Sequence, residues 1–354
     1  METGNQTPPP GAKSKLPRPA RLVPDGDDSS VPIPNCWLAT WLAAGLVSSP
    51  LRNTCHSNLG FGLALAVTLW GGTNVGTKWL MAFWPPIFTG STRFFLAGLL
   101  LLLVMRRTAW LGKLTPLSRA ADRALWWRGG CSLALYTATF NYALRFTSAS
   151  HVALYLGTAP VWALLWEAHA EGARINWIRW ISALLAVGGV GVLLWPSLAG
   201  DGFRLSLPGE LLGILASVLW ANYGWQSRRF SVHLHSAEIS AHTMWRAGVL
   251  LLPVGLAELT RRHLSVTLNL LGVQAFCIIA GGALAYGLWN RALTRWPTGR
   301  VLLFNNLIPV TTLLWAHFCL GEPITPTFLG ALGLIGTGVL LGQSQPRCGG
   351  MTAA

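Results

Sequence analysis

The stretch FNYALRFTSASHVALYLGTAPVWALLW (140–166) returns in altered form as WNRALTRWPTGRVLLFNNLIPVTTLLW (289–315). Laid over one another without a gap, they pair Asn141 with Asn290, Ala143 with Ala292, Leu144 with Leu293, Val152 with Val301, Pro160 with Pro309 and Trp166 with Trp315, always 149 positions apart. The correspondence runs further. LWGGTNVGTK (69–78) matches LWANYGWQSR (219–228), so Lys78 and Arg228 each lie eight residues after a Trp. Arg93 matches Arg246, and GGVGVLL (188–194) resembles IGTGVLL (335–341). A chain that states one pattern twice folds as two like halves packed on each other.

What the halves are made of follows from polarity. Hydrophobic residues make up 52% of the 354 and charged residues only 11%, against about a quarter charged in a soluble domain. The mean hydropathy is +0.46. So few charges cannot cover a water-soluble globule of this size, and the apolar residues come in blocks near the ~20 residues that a membrane helix needs. The blocks predict ten spans, at 59–80, 86–105, 126–144, 149–169, 177–195, 209–228, 238–257, 270–290, 298–319 and 324–342. The fold class expected is an all-α integral membrane protein. Its domains are a first five-helix repeat over 59–196 and a second over 209–342. They are flanked by a disordered cytoplasmic tail over 1–58, with a short apolar segment at 36–47, and a C-terminal tail over 343–354.

Five is an odd number. A half that begins after five crossings starts on the opposite face of the membrane, so the two repeats are expected to be inverted about an axis in the membrane plane. Such a pair can exchange shapes, and an opening toward one side becomes an opening toward the other. That is alternating access, the behaviour of a secondary transporter. The orientation follows from Lys and Arg. Connections after the even spans carry thirteen of them, among them Arg106, Arg107, Lys113, Arg174, Arg229 and Arg295, against Arg145, Arg204, Arg261 and Arg262 on the other side. The expectation is a multi-pass protein of the cell inner membrane with both termini in the cytoplasm. The same bias explains the net charge of +14. No basic run interleaves with exposed aromatics, which argues against nucleic acid.

Other functions leave no mark. The six cysteines show neither paired nor metal-type spacing. His233 and His235 have no Cys or acidic partner at ligand spacing, no P-loop occurs and no catalytic constellation is visible. The chain is therefore expected to be no enzyme and to need no cofactor or metal.

LWGGTNVGTKWL with PPIFTGSTRFFLAGLLLLL, TSASHVALYLGTAPVWALL, GELLGILASVLWANYGWQSRR, and LIPVTTLLWAHFCLGEPITPTFLGALGLIGTGVLL resemble, in order and spacing, the EamA branch of the drug/metabolite transporter superfamily. The resemblance covers roughly 60–342. It implies ten helices, cytoplasmic termini and a central cavity for small metabolites. It also marks one departure. The second half carries a Gly-Glu pair at Gly321–Glu322, whereas the first reads AHAEGARINW, with Glu171 ahead of Gly172.

Polar groups within the spans are costly in hydrocarbon and need a reason to be there. Lys78 reads either as a side chain reaching back to the interface or as a cavity residue. Arg93 and Arg246 sit seven or eight residues into their helices, suited to backbone pairing or to substrate. Glu167 reads either as a proton carrier or as a solvated interface residue beside His169 and Glu171. The uncharged set recurs in both halves: Asn74, Tyr136, Asn141 and Tyr155 against Asn222, Tyr223, Tyr286, Asn290, Asn305 and Asn306. Amides and phenols within a bundle bind a polar solute or hold helices together. Without Asn222 and Asn306, and with Trp70, Trp220, Lys78 and Arg246, they form the candidate substrate site of twelve residues. The function expected is a secondary carrier of small organic metabolites, such as amino acids, directed outward, with a proton or counter-solute as coupling partner. The alternatives are a nucleotide-sugar or sugar-phosphate carrier, favoured by a paired basic site at Lys78 and Arg246, and a membrane enzyme acting on lipid-linked substrates.

Overall fold

In the computed structural model the described residues are 57–159, 161–162, 177–199, 203–261, 264–293, 304 and 307–344. The tail expected over 1–58 lies outside them except for its last two residues, as do the C-terminal tail beyond 344 and Glu167, His169 and Glu171. Among the described residues every regular element is a helix. These are α1 (Ser57–Leu80), α2 (Pro86–Arg107), α3 (Arg119–Ala124, then a π-helical stretch Leu125–Gly130, then Cys131–Phe146), α4 (Ala149–Gly157) and α5 (Trp177–Ala199). The second half supplies α6 (Phe203–Phe230), α7 (Ser236–Leu259), α8 (Leu268–Phe276, then a π-helical stretch Cys277–Leu284, then Ala285–Leu293), α9 (Ile308–Leu320) and α10 (Pro326–Ser344).

Among the described residues three helical segments, Leu59–Leu80, Pro86–Arg107 and Leu268–Ala292, are long and apolar enough to cross a bilayer, and Trp180–Val192, Ile308–Leu320 and Pro326–Gly338 are shorter apolar stretches. Helix ends follow local chemistry. Ser118, Ser148 and Thr267 accept backbone N–H groups from Ala121, His151 and Leu270 at the starts of α3, α4 and α8. Pro86 opens α2, where its missing N–H costs nothing. Gly321 ends α9 with φ 67°, a left-handed position suited to glycine. Two expected boundaries are corrected. Helix α3 begins at Arg119 rather than 126, because Ser118 caps it there, so Arg119, Arg123 and Arg128 lie on helix rather than in a loop. Helix α6 begins at Phe203 rather than 209 and includes Pro208.

The halves interleave. Helix α2 packs along α7 and α5 along α10; α1 packs on α8 and α9, α6 on α3 and α4, and α4 on α9. Exchanging the first five helices for the last five, in order, maps these neighbours onto themselves. The α1–α8 pair becomes α6–α3, α1–α9 becomes α6–α4, and α2–α7 and α5–α10 are unchanged. The direction of the shared pairs can be read residue by residue. Gly98 lies against Ala241 and Trp245, Phe95 against Gly248, and Phe88 against Gly255, so α2 and α7 run antiparallel. Ser182 Oγ donates to the Gly338 carbonyl at 2.5 Å, and Gly189 lies against Ala331 and Ile335, so α5 and α10 do the same. In these two pairs, equivalent helices of the two repeats point in opposite directions.

Small residues make this approach possible, as expected where helices gain their attraction from close packing. A methyl group placed on Gly98 would meet the Trp245 backbone nitrogen at 2.4 Å, and one on Gly248 the Phe95 nitrogen at 2.5 Å. Leu154 and Tyr155 of α4, Ala186 of α5, Leu313 of α9 and Ala331 and Ile335 of α10 form a buried cluster that closes one flank.

Candidate functional site

Helices α1 and α8 bring three aromatic rings together. The Trp70 ring lies 5.1 Å from Tyr286 and 5.1 Å from Trp289, and its indole N–H donates to the Gly281 carbonyl at 3.0 Å. Gly281 belongs to the π-helical stretch of α8, where a side chain has no room: an added methyl would lie 1.8 Å from Thr73 Oγ1. Stretches of π-helix inside an α-helix often accompany functional sites, and the repeat-equivalent helix α3 carries one too. Across the bundle, α6 and α3 build a second group, with Trp220 4.8 Å from Tyr136 and 5.3 Å from Tyr223. The Tyr223 hydroxyl meets Thr243 Oγ1 at 2.9 Å. Trp70 and Trp220, at the heart of the two groups, hold equivalent places in the two repeats. Tyr136 and Tyr223 are buried, while Trp70, Asn74, Trp220 and Tyr286 keep part of their surface open.

The amides hold this centre to its walls. Asn74 Nδ2 donates to Thr312 Oγ1 at 3.1 Å, and Asn222 Nδ2 to Ser132 Oγ at 2.9 Å. Asn141 is fully buried and donates to the Pro86 carbonyl at 2.8 Å, a bond between α3 and the start of α2. Its repeat counterpart Asn290 is 3% exposed, and its Nδ2 is buried without a hydrogen-bond partner. Asn305 and Asn306 lie outside the described residues.

Three candidates sit elsewhere. Lys78 Nζ donates to the Thr147 carbonyl at 2.5 Å, where a cation meets the C-terminal end of α3. Tyr155, fully buried, donates to Glu210 Oε2 at 2.5 Å. Arg246 is paired with Asp122, lies beside His242 Nδ1 at 3.0 Å, and stacks its guanidinium 4.4 Å over the Trp245 ring. Lys78 and Arg246 therefore serve different partners and do not form a joint basic site. A cavity of about 650 Å³ opens beside Arg119, Asp122, Arg123, Trp126, Trp127 and Leu250, and none of the twelve candidate residues lines it.

Sequence reasoning missed Glu210 and Glu258, and singled out Glu322 only as half of the Gly321–Glu322 pair. Glu210, 1% exposed, gathers Thr147 Oγ1 at 2.5 Å, His151 Nδ1 at 2.9 Å and Tyr155. Glu258 accepts the backbone N–H groups of Ile87 and Phe88 at 2.8 and 3.2 Å and the Tyr142 hydroxyl at 2.7 Å. Glu322 accepts from Ala149 N, Ser150 N and Ser150 Oγ at 2.9, 3.2 and 2.6 Å. Each of the last two caps the start of a helix from the other half of the chain. The available signal was a lone Glu at the edge of an apolar span.

Comparison with known proteins agrees with this architecture. The model of the EamA-like transporter family matches residues 59–195 and again 207–342. A protein of Archaeoglobus fulgidus described as an uncharacterized transporter is 25% identical over 79% of this chain and 96% of its own length. A probable amino-acid metabolite efflux pump of Escherichia coli is 26% identical over 78% of this chain and 92% of its own. A probable terminal-alkyne amino-acid exporter of Streptantibioticus cattleyicolor is 23% identical over 59% and 69%. A crystal structure at 21% identity superimposes with a TM-score of 0.55 over 81% of this chain and 98% of its own, which shows a shared fold. Matched in both of its halves, this multi-pass membrane protein belongs to the EamA-like transporter family.

Proposed function

We propose that the protein is a secondary carrier that exports small organic metabolites, amino acids or their relatives among them, by alternating access. Its two five-helix halves, 59–196 and 209–342, cross the inner membrane ten times in inverted orientation. Both termini lie in the cytoplasm, and a proton or counter-solute gradient drives the cycle. The observation that carries this reading is the antiparallel pairing of α2 with α7 and of α5 with α10. Two like halves of opposite direction can trade conformations about a fixed centre, and in this reading the aromatic groups around Trp70 and Trp220 line it. The relatives named as an amino-acid metabolite efflux pump and an amino-acid exporter support the substrate class and direction.

The sugar-phosphate alternative loses its motivation, since Lys78 and Arg246 are bound to Thr147 and Asp122. The test is exchange in proteoliposomes: purified protein with unlabelled metabolites inside and labelled amino acids outside, with and without an imposed pH gradient. Saturable counterflow of one or more amino acids supports the reading. No exchange across a broad metabolite panel removes it.

A further inference from the structure

Arg93 lies seven residues into α2, about 10 Å along the axis from Pro86, and is 8% exposed. It shares a face with Pro86, Gly90 and Ala97. Pro86 and Gly90 meet Asn141 and Thr137 of α3, and Ala97 meets Gly282 of α8. Arg93 therefore points between the two helices that carry Tyr136 and Tyr286, toward Thr77 of α1, whose Oγ1 accepts from its Nη1 at 2.9 Å.

The contrast with its repeat counterpart is the informative fact. Arg246 is neutralised by Asp122. Arg93 forms no ion pair among the described residues; beyond Thr77 its contact is the Phe94 ring, 4.6 Å below the guanidinium. Arg246 Nε is fully buried and without a partner, whereas no nitrogen of Arg93 is in that state, so Arg93 Nε and Nη2 keep some accessible surface. A cation within a membrane bundle, without a counter-charge, is costly. A planar fork with donors left to give is the arrangement that binds an oxyanion through two parallel bonds.

We propose that Arg93 is the receptor for the substrate's carboxylate, so that the carrier takes monocarboxylic or zwitterionic organic acids whose remainder lies against Trp70, Tyr136, Trp220 and Tyr286. The inference rests on the carrier reading above and narrows its substrate class. Charge decides between oxyanions. One guanidinium balances one carboxylate, whereas a phosphate dianion would leave a buried negative charge, with Lys78 and Arg246 already engaged elsewhere.

The experiment uses the full chain in lipid nanodiscs, as wild type, R93Q, R93K and T77V. Binding is read as ligand-induced thermal stabilisation with acetate, benzoate, L-leucine, L-phenylalanine and L-tryptophan, each against its neutral amide. At least one acid is expected to stabilise the wild type while its amide does not. The apparent affinity should fall tenfold or more in R93Q and severalfold in R93K and T77V, with the response to amides unmoved. Equal binding of acid and amide, no acid-dependent stabilisation of the wild type, or unchanged affinity in a folded R93Q overturns the inference. Should R93Q fail to fold, unchanged acid affinity in R93K does so. Acid binding that depends on Arg93, without counterflow in proteoliposomes, would remove the carrier reading and leave this site standing. Counterflow that is indifferent to the carboxylate and to Arg93 would do the reverse.

Discussion

Tyr155 of α4 donates its hydroxyl hydrogen to Glu210 Oε2 of α6 at 2.5 Å. The same carboxylate receives Thr147 Oγ1 from the end of α3, and Lys78 of α1 binds the Thr147 carbonyl. Helices α3 and α4 thus meet α6 at one buried acid, with α1 joined to them through Thr147. Replacing Tyr155 by Phe removes one donor and leaves Glu210 with two, at a cost of about 1–2 kcal/mol. Replacing Glu210 by Ala strands the donors around it and should cost more, about 3 kcal/mol or above. Thermal unfolding in detergent should rank wild type above Y155F and Y155F above E210A. Equal melting of Y155F and wild type would mean that the bond contributes nothing.

The α2–α7 seam makes a second prediction. Gly98 has backbone atoms of α7 within 3.0 Å of where a methyl would go, whereas Gly188 of α5 has nothing within 4 Å. The same chemical change, Gly to Ala, should therefore have opposite outcomes. G98A forces the two helices apart and should cost about 1–3 kcal/mol. G188A relieves helix-interior glycine and should be neutral or stabilising by up to about 1 kcal/mol. Folded yield and melting temperature measure both, and a tolerated G98A would argue against the close antiparallel contact.

The sequence disclosed what is written locally and what is written twice. Apolar blocks mark helices because hydrocarbon demands them, and the spacing from Asn141 to Asn290 marks the duplication. Trp70 and Trp220 were legible as a pair because each opens the same motif. The carboxylates were not, because their meaning lies in partners far along the chain. Glu322 serves Ala149, 173 positions away, and Glu258 serves Ile87, 171 away. Tyr155 and Asn141 looked like a cavity lining because a buried phenol or amide has the same sequence signature whether it faces a solute or a neighbouring helix. The start of α3 was placed late because Arg119, Asp122 and Arg123 read as a charged loop, although Ser118 caps a helix there.

Glu322 leads to a third prediction. It satisfies two of the free N–H groups at the start of α4 and the Ser150 hydroxyl, and a carboxylate there also complements the helix dipole. E322Q keeps an acceptor and loses the charge, for about 0.5–1 kcal/mol. E322A loses both and should cost about 1–2 kcal/mol. Hydrogen exchange at Ala149 and Ser150 should accelerate in E322A before exchange elsewhere changes. Unaltered protection at those two amides would show that another group caps the helix.

The crossing number is open to direct test. Lys113, in the connection between α2 and α3, and Ile324, between α9 and α10, are both exposed. If every helix from α3 to α9 crosses the bilayer, seven crossings separate them and they lie on opposite sides. Lys113 sits near Arg106, Arg107 and Arg119, which the bias of basic residues holds in the cytoplasm. Single cysteines are introduced as K113C and I324C in a chain whose six native cysteines are replaced. In intact cells a membrane-impermeant maleimide should label I324C and spare K113C, and permeabilised cells should expose both. Labelling of both positions in intact cells would make the number of crossings between them even. The two halves would then not both be five-crossing units, and the symmetric inverted exchange on which alternating access depends would be lost.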